Sequence, residues 1–259
     1  MSIETDADLA GLERAGRVVA LALAAMRDAV RPGRSTAELD AVGAAVFRRL
    51  GARSAPQLAY GFPGVNCISL NDEAVHGIPS RARTIAAGDL VTLDVTAELD
   101  GYVADAATTV EAGSRTAARQ RLIRTAAAAL GRGLRAARAG CTVSGIGAAV
   151  EREVVRRGFA VVPALGGHGV GRSIHEPPWV PNFDDRRHDQ PLTDGLVLTV
   201  EPIVSAGDGT VYERDDGWTI AAADGALTAH VEHTIVVRQG RPLVLTRLPR
   251  PYGSLTELA

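Results

Sequence analysis

Four acids interrupt strand-like apolar runs in this chain of 259 residues. Asp94 lies in Leu90–Thr96, Asp105 in Tyr102–Val110, Glu201 closes Leu196-Val-Leu-Thr-Val, and Glu232 precedes His233-Thr-Ile-Val-Val. A carboxylate among Val and Leu is costly to bury alone, so each needs a cation, a donor network or water. One such acid is ordinarily a solvated or hydrogen-bonded residue. Four of them, with a Gly166-Gly167-His168-Gly169 turn between the second and third, point to a shared partner. Hard oxygen donors plus one imidazole suit a divalent metal pair better than one zinc held by His and Cys. Five protein ligands for two ions require bridging carboxylates, which sets the ions roughly 3.5–4 Å apart. In Val91-Thr-Leu-Asp-Val95 the odd-numbered residues share an apolar face, and Asp94 points with Thr92 to the other. His230 and His233, which flank Glu232, are expected to point away from it into packing or hydrogen-bonding roles.

Composition narrows the functions such a site could serve. Basic residues number 28 and acidic ones 30, for a net charge of −2, which argues against nucleic-acid binding as the main function. Every basic residue is Arg, which excludes Lys Schiff-base chemistry and a phosphate-loop Lys. Two cysteines, Cys67 and Cys141, make neither a disulfide framework nor a Cys-type zinc site, and a reducing cytoplasm is expected. The acidic start, Met1 to Asp8, is not a signal peptide. The longest apolar run, Val18–Met26, is too short to span a bilayer.

The elements that must position the acids follow from spacing. Leu9, Leu12, Val19, Leu23, Met26 and Val30 share one face of a helix over about residues 6–30, stopped by Arg31-Pro32-Gly33. Ser35-Thr-Ala-Glu38 is a capping box that opens a second helix ending near Gly51. A Gly/Pro-rich loop, Tyr60-Gly-Phe-Pro-Gly64, precedes strands at Asn66–Asn71, Leu90–Thr96 and Tyr102–Val110, the last two joined by an Asp100-Gly101 turn. A third helix is predicted over Ser114–Ala139, and a fourth, capped by Thr142, stops at Gly158. The chain also repeats itself at an offset of 107 residues. Arg31 meets Arg138, Gly33 meets Gly140, Ser35 meets Thr142, Gly51 meets Gly158, Gly88 meets Gly195, Thr92 meets Thr199, and Asp94 meets Glu201. This predicts two related α/β halves packed face to face, each sending carboxylates to a shared centre.

These residues resemble the type I methionine aminopeptidases. The likeness spans nearly the whole chain and rests on Asn71-Asp-Glu-Ala-Val-His76-Gly-Ile-Pro79, Leu93-Asp94-Val95, Gly167-His168-Gly-Val-Gly-Arg-Ser-Ile-His175-Glu-Pro-Pro, Thr199-Val-Glu201-Pro202, Asp216-Gly-Trp218-Thr and Glu232-His233-Thr234. The resemblance implies an α+β pita-bread (creatinase/aminopeptidase) fold. It also implies a single catalytic domain over residues 1–259, with pseudo-symmetric halves at about 6–110 and 114–240 around a dinuclear metal site. Only 25 residues separate His175 from Glu201, too few for the helical insertion of type II enzymes. With the first helix expected from about residue 6, the extra N-terminal domain usual in prolidases and X-Pro aminopeptidases is not expected.

Carried over residue by residue, the resemblance makes Asp94, Asp105, His168, Glu201 and Glu232 the ligands of two divalent ions: Co, Mn, Fe or Zn. Glu201 becomes the general base, His175 the residue that polarises the scissile carbonyl, and His76 the partner of the scissile amide nitrogen. Phe62, Cys67, His76, Ile174 and Trp218 would surround the substrate methionine side chain, whose sulfur packs well on aromatic edges. The implied reaction removes the initiator methionine from nascent polypeptide N-termini when the second residue is small. A monomer in the cytoplasm with transient ribosome contact is implied, with no membrane and no direct nucleic-acid partner. The chain departs from the family's usual residues at Tyr60, Val75, Val103-Ala104 and Ile174, none of them a metal ligand. The alternative is a divergent pita-bread homologue with altered peptide specificity or a non-catalytic binding role.

Overall fold

The computed structural model describes residues 1–247. Five α-helices are present among them: α1 (Asp6–Ala29), α2 (Thr36–Leu50), α3 (Ala55–Tyr60), α4 (Ala117–Ala136) and α5 (Val143–Arg156). Capping boxes start α1 (Thr5 with Asp8) and α2 (Ser35 with Glu38), and Thr142 caps α5. Two helices differ from expectation. The short α3 falls where only a loop was expected, held by the Ser54 cap and closed by Gly61 in the left-handed conformation. The end of α4 comes at Ala136 rather than Ala139, because the amides of Ala139 and Gly140 turn outward to Arg238 and Leu192 carbonyls at 3.0 and 2.9 Å.

The first strands are β1 (Arg53–Ser54), β2 (Cys67–Leu70), β3 (Glu73–Val75), β4 (Leu90–Leu99) and β5 (Tyr102–Glu111). A ten-on-ten antiparallel hairpin, β4 with β5, dominates the first half, and β2 pairs with the other edge of β4. Its turn, Asp100-Gly101, has φ of 53° and 80°, the positive pair that a two-residue hairpin turn needs. The second half is built from shorter strands: β6 (Ala160–Val161), β7 (Gly166–Gly169), β8 (Glu176–Pro181), β9 (Val197–Val200), β10 (Ile203–Ser205), β11 (Val211–Glu213), β12 (Ile220–Ala222), β13 (Thr228–His230), β14 (His233–Val236) and β15 (Leu243–Val244). One sheet runs β15-β14-β9-β7-β8; β13-β10-β6 and β11-β12-β3 form two small ones.

The internal repeat persists at the level of single hydrogen bonds. Gly33 N–H reaches the Ile85 carbonyl at 2.8 Å, and Gly140 N–H reaches that of Leu192 at 2.9 Å. Thr36 N–H meets the Arg83 carbonyl at 2.9 Å, and Val143 N–H that of Gln190 at 3.0 Å. All four pairs are related by the offset seen in the sequence. Gly88 and Gly195, which turn the chain into β4 and β9, have φ of 91° and 87°. Each half has its own core: α1 covers β4 and β5, with α2 packed on α1 and against β1 and β2, through Val19, Leu39 and Leu93, while α4 and α5 cover the second half through Leu122, Ile146 and Leu198. Each such fully buried side chain contributes about 1.5–3 kcal/mol. This is the α+β pita-bread arrangement of two pseudo-symmetric halves, and the acids lie where the halves meet.

Candidate metal centre and its apolar pocket

All eleven residues singled out from the sequence line one cavity of about 620 Å³: Phe62, Cys67, His76, Asp94, Asp105, His168, Ile174, His175, Glu201, Trp218 and Glu232. The hairpin delivers the first two acids from mid-strand. Asp94 pairs across β4–β5 with Ala107, and Asp105 with Thr96, so the two carboxylates are diagonal neighbours on one face. The other half delivers its acids from breaks in the strands. Glu201 directly follows β9, where the Thr199 hydroxyl donates to Glu201 Oε1 at 2.9 Å and accepts His168 N–H at 2.9 Å. Glu232 sits between β13 and β14, its amide bonded to the Ala107 carbonyl at 3.0 Å. The Thr234 hydroxyl ties this segment to the hairpin, accepting Asp105 N–H at 2.8 Å and donating to its carbonyl at 2.7 Å.

Close packing explains the glycines around His168. A Cβ at Gly167 would stand 2.5 Å from the Thr199 carbonyl oxygen, and one at Gly169 would stand 2.2 Å from that of Pro177. Larger residues would push β7 off its neighbours and move His168. Its Nδ1 faces the Gly169 carbonyl at 2.9 Å, which leaves Nε2 pointing at Glu201 Oε1, 3.5 Å away.

The electrostatics are those of a cation site. Burial lifts the Asp94 carboxyl to about 6. It lifts Asp105, Glu201 and Glu232 well above the usual carboxylate range, with the neighbouring acids adding to the rise in each. Loss of water draws His168 down to about 4, so its imidazole is neutral and has a free lone pair. Asp94 Oδ1, Asp105 Oδ1 and Glu232 Oε1 are buried with no hydrogen-bond partner. Four crowded carboxylates with orphaned oxygens beside a neutral imidazole fit a multiply charged hard cation. Donor atoms of Asp105, His168 and Glu232 lie within 4.8 Å of one another, as do those of Glu201, His230 and Glu232. Asp94 stands outside both groups and joins them through Asp105.

His230 corrects the sequence reading. Its ring is 2% exposed and faces the centre, with Nε2 3.6 Å from both Glu201 Oε2 and Glu232 Oε2. Residues two apart in extended backbone share a face, so the period that groups Asp94 with Thr92 also groups His230 with Glu232. That spacing was the signal available. The expectation holds for the adjacent His233, whose Nδ1 meets Thr246 Oγ1 at 2.9 Å.

The cavity wall beyond the acids is apolar. Phe62 and Trp218 meet edge to face at 5.2 Å, with Cys67 and Ile174 buried beside them. Cys67 is the register partner of Asp94, which sets this pocket against the acids. Trp218 is oriented by Asp216, whose carboxylate accepts the Trp218 and Thr219 amides at 2.9 and 2.8 Å. At the mouth, Tyr60 Oη lies 2.6 Å from His175 Nδ1, a contact between residues 115 apart in sequence that the reading from sequence did not contain. Glu176 accepts the Arg172 and Ser173 amides, both at 2.7 Å, and holds the turn that presents His175. His76 follows β3 with φ of 59°, in the left-handed region, and its pKa is drawn down to about 4 by loss of water and by His175.

A model of the metallopeptidase family M24 matches residues 10–239. The chain is 42% identical to methionine aminopeptidase 2 of Bacillus subtilis over 96% of its own length and all of that protein. It is 38% identical to the methionine aminopeptidase of Treponema pallidum, over 94% of this chain and 95% of that one. The crystal structure of methionine aminopeptidase from Thermotoga maritima superposes with a TM-score of 0.92 at 32% identity, covering 96% of this chain and 100% of that chain. The chain therefore belongs to the metallopeptidase family M24 and, within it, to the methionine aminopeptidases. It is a hydrolase of the metal-dependent aminopeptidase kind.

Proposed function

We propose that this protein removes the N-terminal methionine from polypeptides by hydrolysing the first peptide bond, favouring substrates with a small second residue. The observation that carries this reading is one cavity in which four buried carboxylates and His168 adjoin the Phe62–Trp218–Cys67–Ile174 wall. Asp94, Asp105, His168, Glu201 and Glu232 would hold two divalent ions; Co, Mn, Fe and Zn all suit such donors, and availability selects among them. Metal ions held there supply Lewis acidity and make water nucleophilic at neutral pH.

The chain's own groups do the rest. The apolar wall takes the methionine side chain. Tyr60 Oη is 2.6 Å from His175 Nδ1; with the phenol as donor, the His175 proton lies on Nε2, ready to hydrogen-bond the scissile carbonyl oxygen. His76 faces the scissile amide nitrogen. Glu201, its Oε1 held by Thr199, accepts the proton of the attacking water and delivers it to the leaving amine.

The reading takes residues 1–259 as one catalytic domain, with halves at about 6–110 and 114–240; residues 248–259 lie outside the described ones. It places the protein in the cytoplasm as a monomer meeting nascent chain ends, transiently at the ribosome. No helix among the described residues is long and apolar enough to cross a membrane, and Cys67 and Cys141 are free thiols.

The test is reconstitution with each of the four metals, followed by assay on Met-Ala-Ser and Met-Leu-Ser. Methionine release from the first peptide alone, abolished by chelator, is expected. No release from either peptide by metal-loaded protein would overturn the reading in favour of a divergent or non-catalytic homologue.

A further inference from the structure

We propose that His230 is a sixth protein ligand of the metal centre, adding a second imidazole beside Glu201 and Glu232. This deepens the proposed function and rests on its metal centre. The His230 ring is enclosed at 2% exposure, and neither Nδ1 nor Nε2 has a hydrogen-bond partner. Burying polar nitrogens without a partner is costly, so an empty role for this ring is unfavourable.

The distances say what it faces. Nε2 is 3.6 Å from Glu201 Oε2 and 3.6 Å from Glu232 Oε2. That is too long for a hydrogen bond to either carboxylate. It suits neighbouring ligands of one ion, since atoms held roughly 2.1 Å from a metal stand about 3–3.5 Å apart when adjacent. The separation between His168 Nε2 and Glu201 Oε1 is similar, 3.5 Å, so an imidazole flanks each oxygen of Glu201. The backbone leaves His230 little freedom to retreat. Its amide donates to Thr109 Oγ1 at 2.9 Å, and its carbonyl accepts from the same hydroxyl at 2.8 Å. A donor set with two imidazoles among the carboxylates is shifted toward Zn, Co and Fe and away from Mn.

The test counts coordinated imidazoles directly. Protein loaded with two equivalents of Co²⁺ is examined by paramagnetic proton NMR in water, where each ligating imidazole gives one exchangeable, strongly shifted ring N–H resonance. Two are expected in the wild type. His230→Gln should lose one and His168→Gln the other, and His230→Gln should weaken the binding of one Co²⁺ equivalent about 10–100-fold. A single wild-type resonance that survives in His230→Gln and vanishes in His168→Gln would overturn the proposal. The wild-type count needs no variant, so a variant that fails to fold does not decide the matter. Methionine release by the same samples separates the two readings. An active wild type with one imidazole resonance sinks the ligand alone, and an inactive one with two sinks the proposed function alone.

Discussion

The two halves bring acids to the same centre by different means. In the first half, Asp94 and Asp105 sit in the middle of two paired ten-residue strands, and the register of the ladder alone makes them neighbours. In the second, Glu201 and Glu232 sit where short strands stop, and side chains do the positioning. Thr199 holds Glu201 Oε1, Asn182 Nδ2 holds the Glu201 carbonyl at 2.9 Å, and Thr234 locks the Glu232 segment to the hairpin. A duplicated framework thus supplies equivalent positions, while the length of the strands decides whether backbone or side chains fix the ligands. The interrupted half is also the one with room for His230.

The largest expected effect tests whether both halves are needed. Asp105→Ala from the hairpin and Glu232→Ala from the break should each lower kcat/KM on Met-Ala-Ser by more than about 100-fold, beyond the 10–100-fold usual for groups behind the ligands. If either variant retained near-normal activity once saturated with metal, the shared-centre reading would fail for that half.

The second effect concerns pH. Asp94, Asp105, Glu201 and Glu232 all have pKa values raised by burial, so the folded, metal-free protein holds protons that the unfolded chain has already released. For Asp94 this costs folding stability as pH rises from about 4 to about 6. Buried His168 acts in the opposite sense: its folded value, about 4, lies below the ordinary imidazole value, and its contribution grows as pH rises toward 6.5. Metal binding needs both the carboxylates and the imidazole deprotonated. The rise in Tm on adding Co²⁺ should therefore be larger at pH 7.5 than at pH 5, with protons released on binding. Equal Tm shifts at the two pH values would contradict the burial-shifted titration of these groups.

A third test sets equivalent threonines against each other. Thr92 and Thr199 occupy matching places in the repeat, but Thr92 Oγ1 bonds Thr109 Oγ1 at 2.7 Å, whereas Thr199 bridges His168 and Glu201. Thr199→Val should weaken metal affinity about 10–100-fold. Thr92→Val should cost about 1 kcal/mol of stability and leave metal affinity nearly unchanged. Similar metal affinities for the two variants in calorimetric titration would erase the distinction drawn between the halves. The smallest effect is at the mouth: Tyr60→Phe removes one hydrogen bond, worth about 0.5–1.5 kcal/mol, and should lower kcat roughly 2–12-fold with little change in KM. A change confined to KM would mean that Tyr60 serves binding instead of His175.

Much of this was legible before any coordinates. The capping residues Ser35 and Thr142, the Asp100-Gly101 turn and the offset that pairs Asp94 with Glu201 are local or periodic signals, and they describe the halves well. The five acid and imidazole ligand candidates stand out because carboxylates are rare in apolar strands. Residues 55–60 were harder to read: six residues with Pro56 in the first turn carry too little periodicity to announce α3. His230 was within reach of period-two spacing, but its distance to Glu201 was not. What the sequence alone determined, then, is each half and the acids it contributes, because hydrogen-bond ladders, caps and alternation act over a few residues. What only the tertiary structure decided is the long-range meetings: His230 beside Glu201 within the second half and, where the halves close on each other, Thr234 gripping Asp105 and Tyr60 on His175. Those contacts join residues far apart in the chain, and no local rule of spacing registers them.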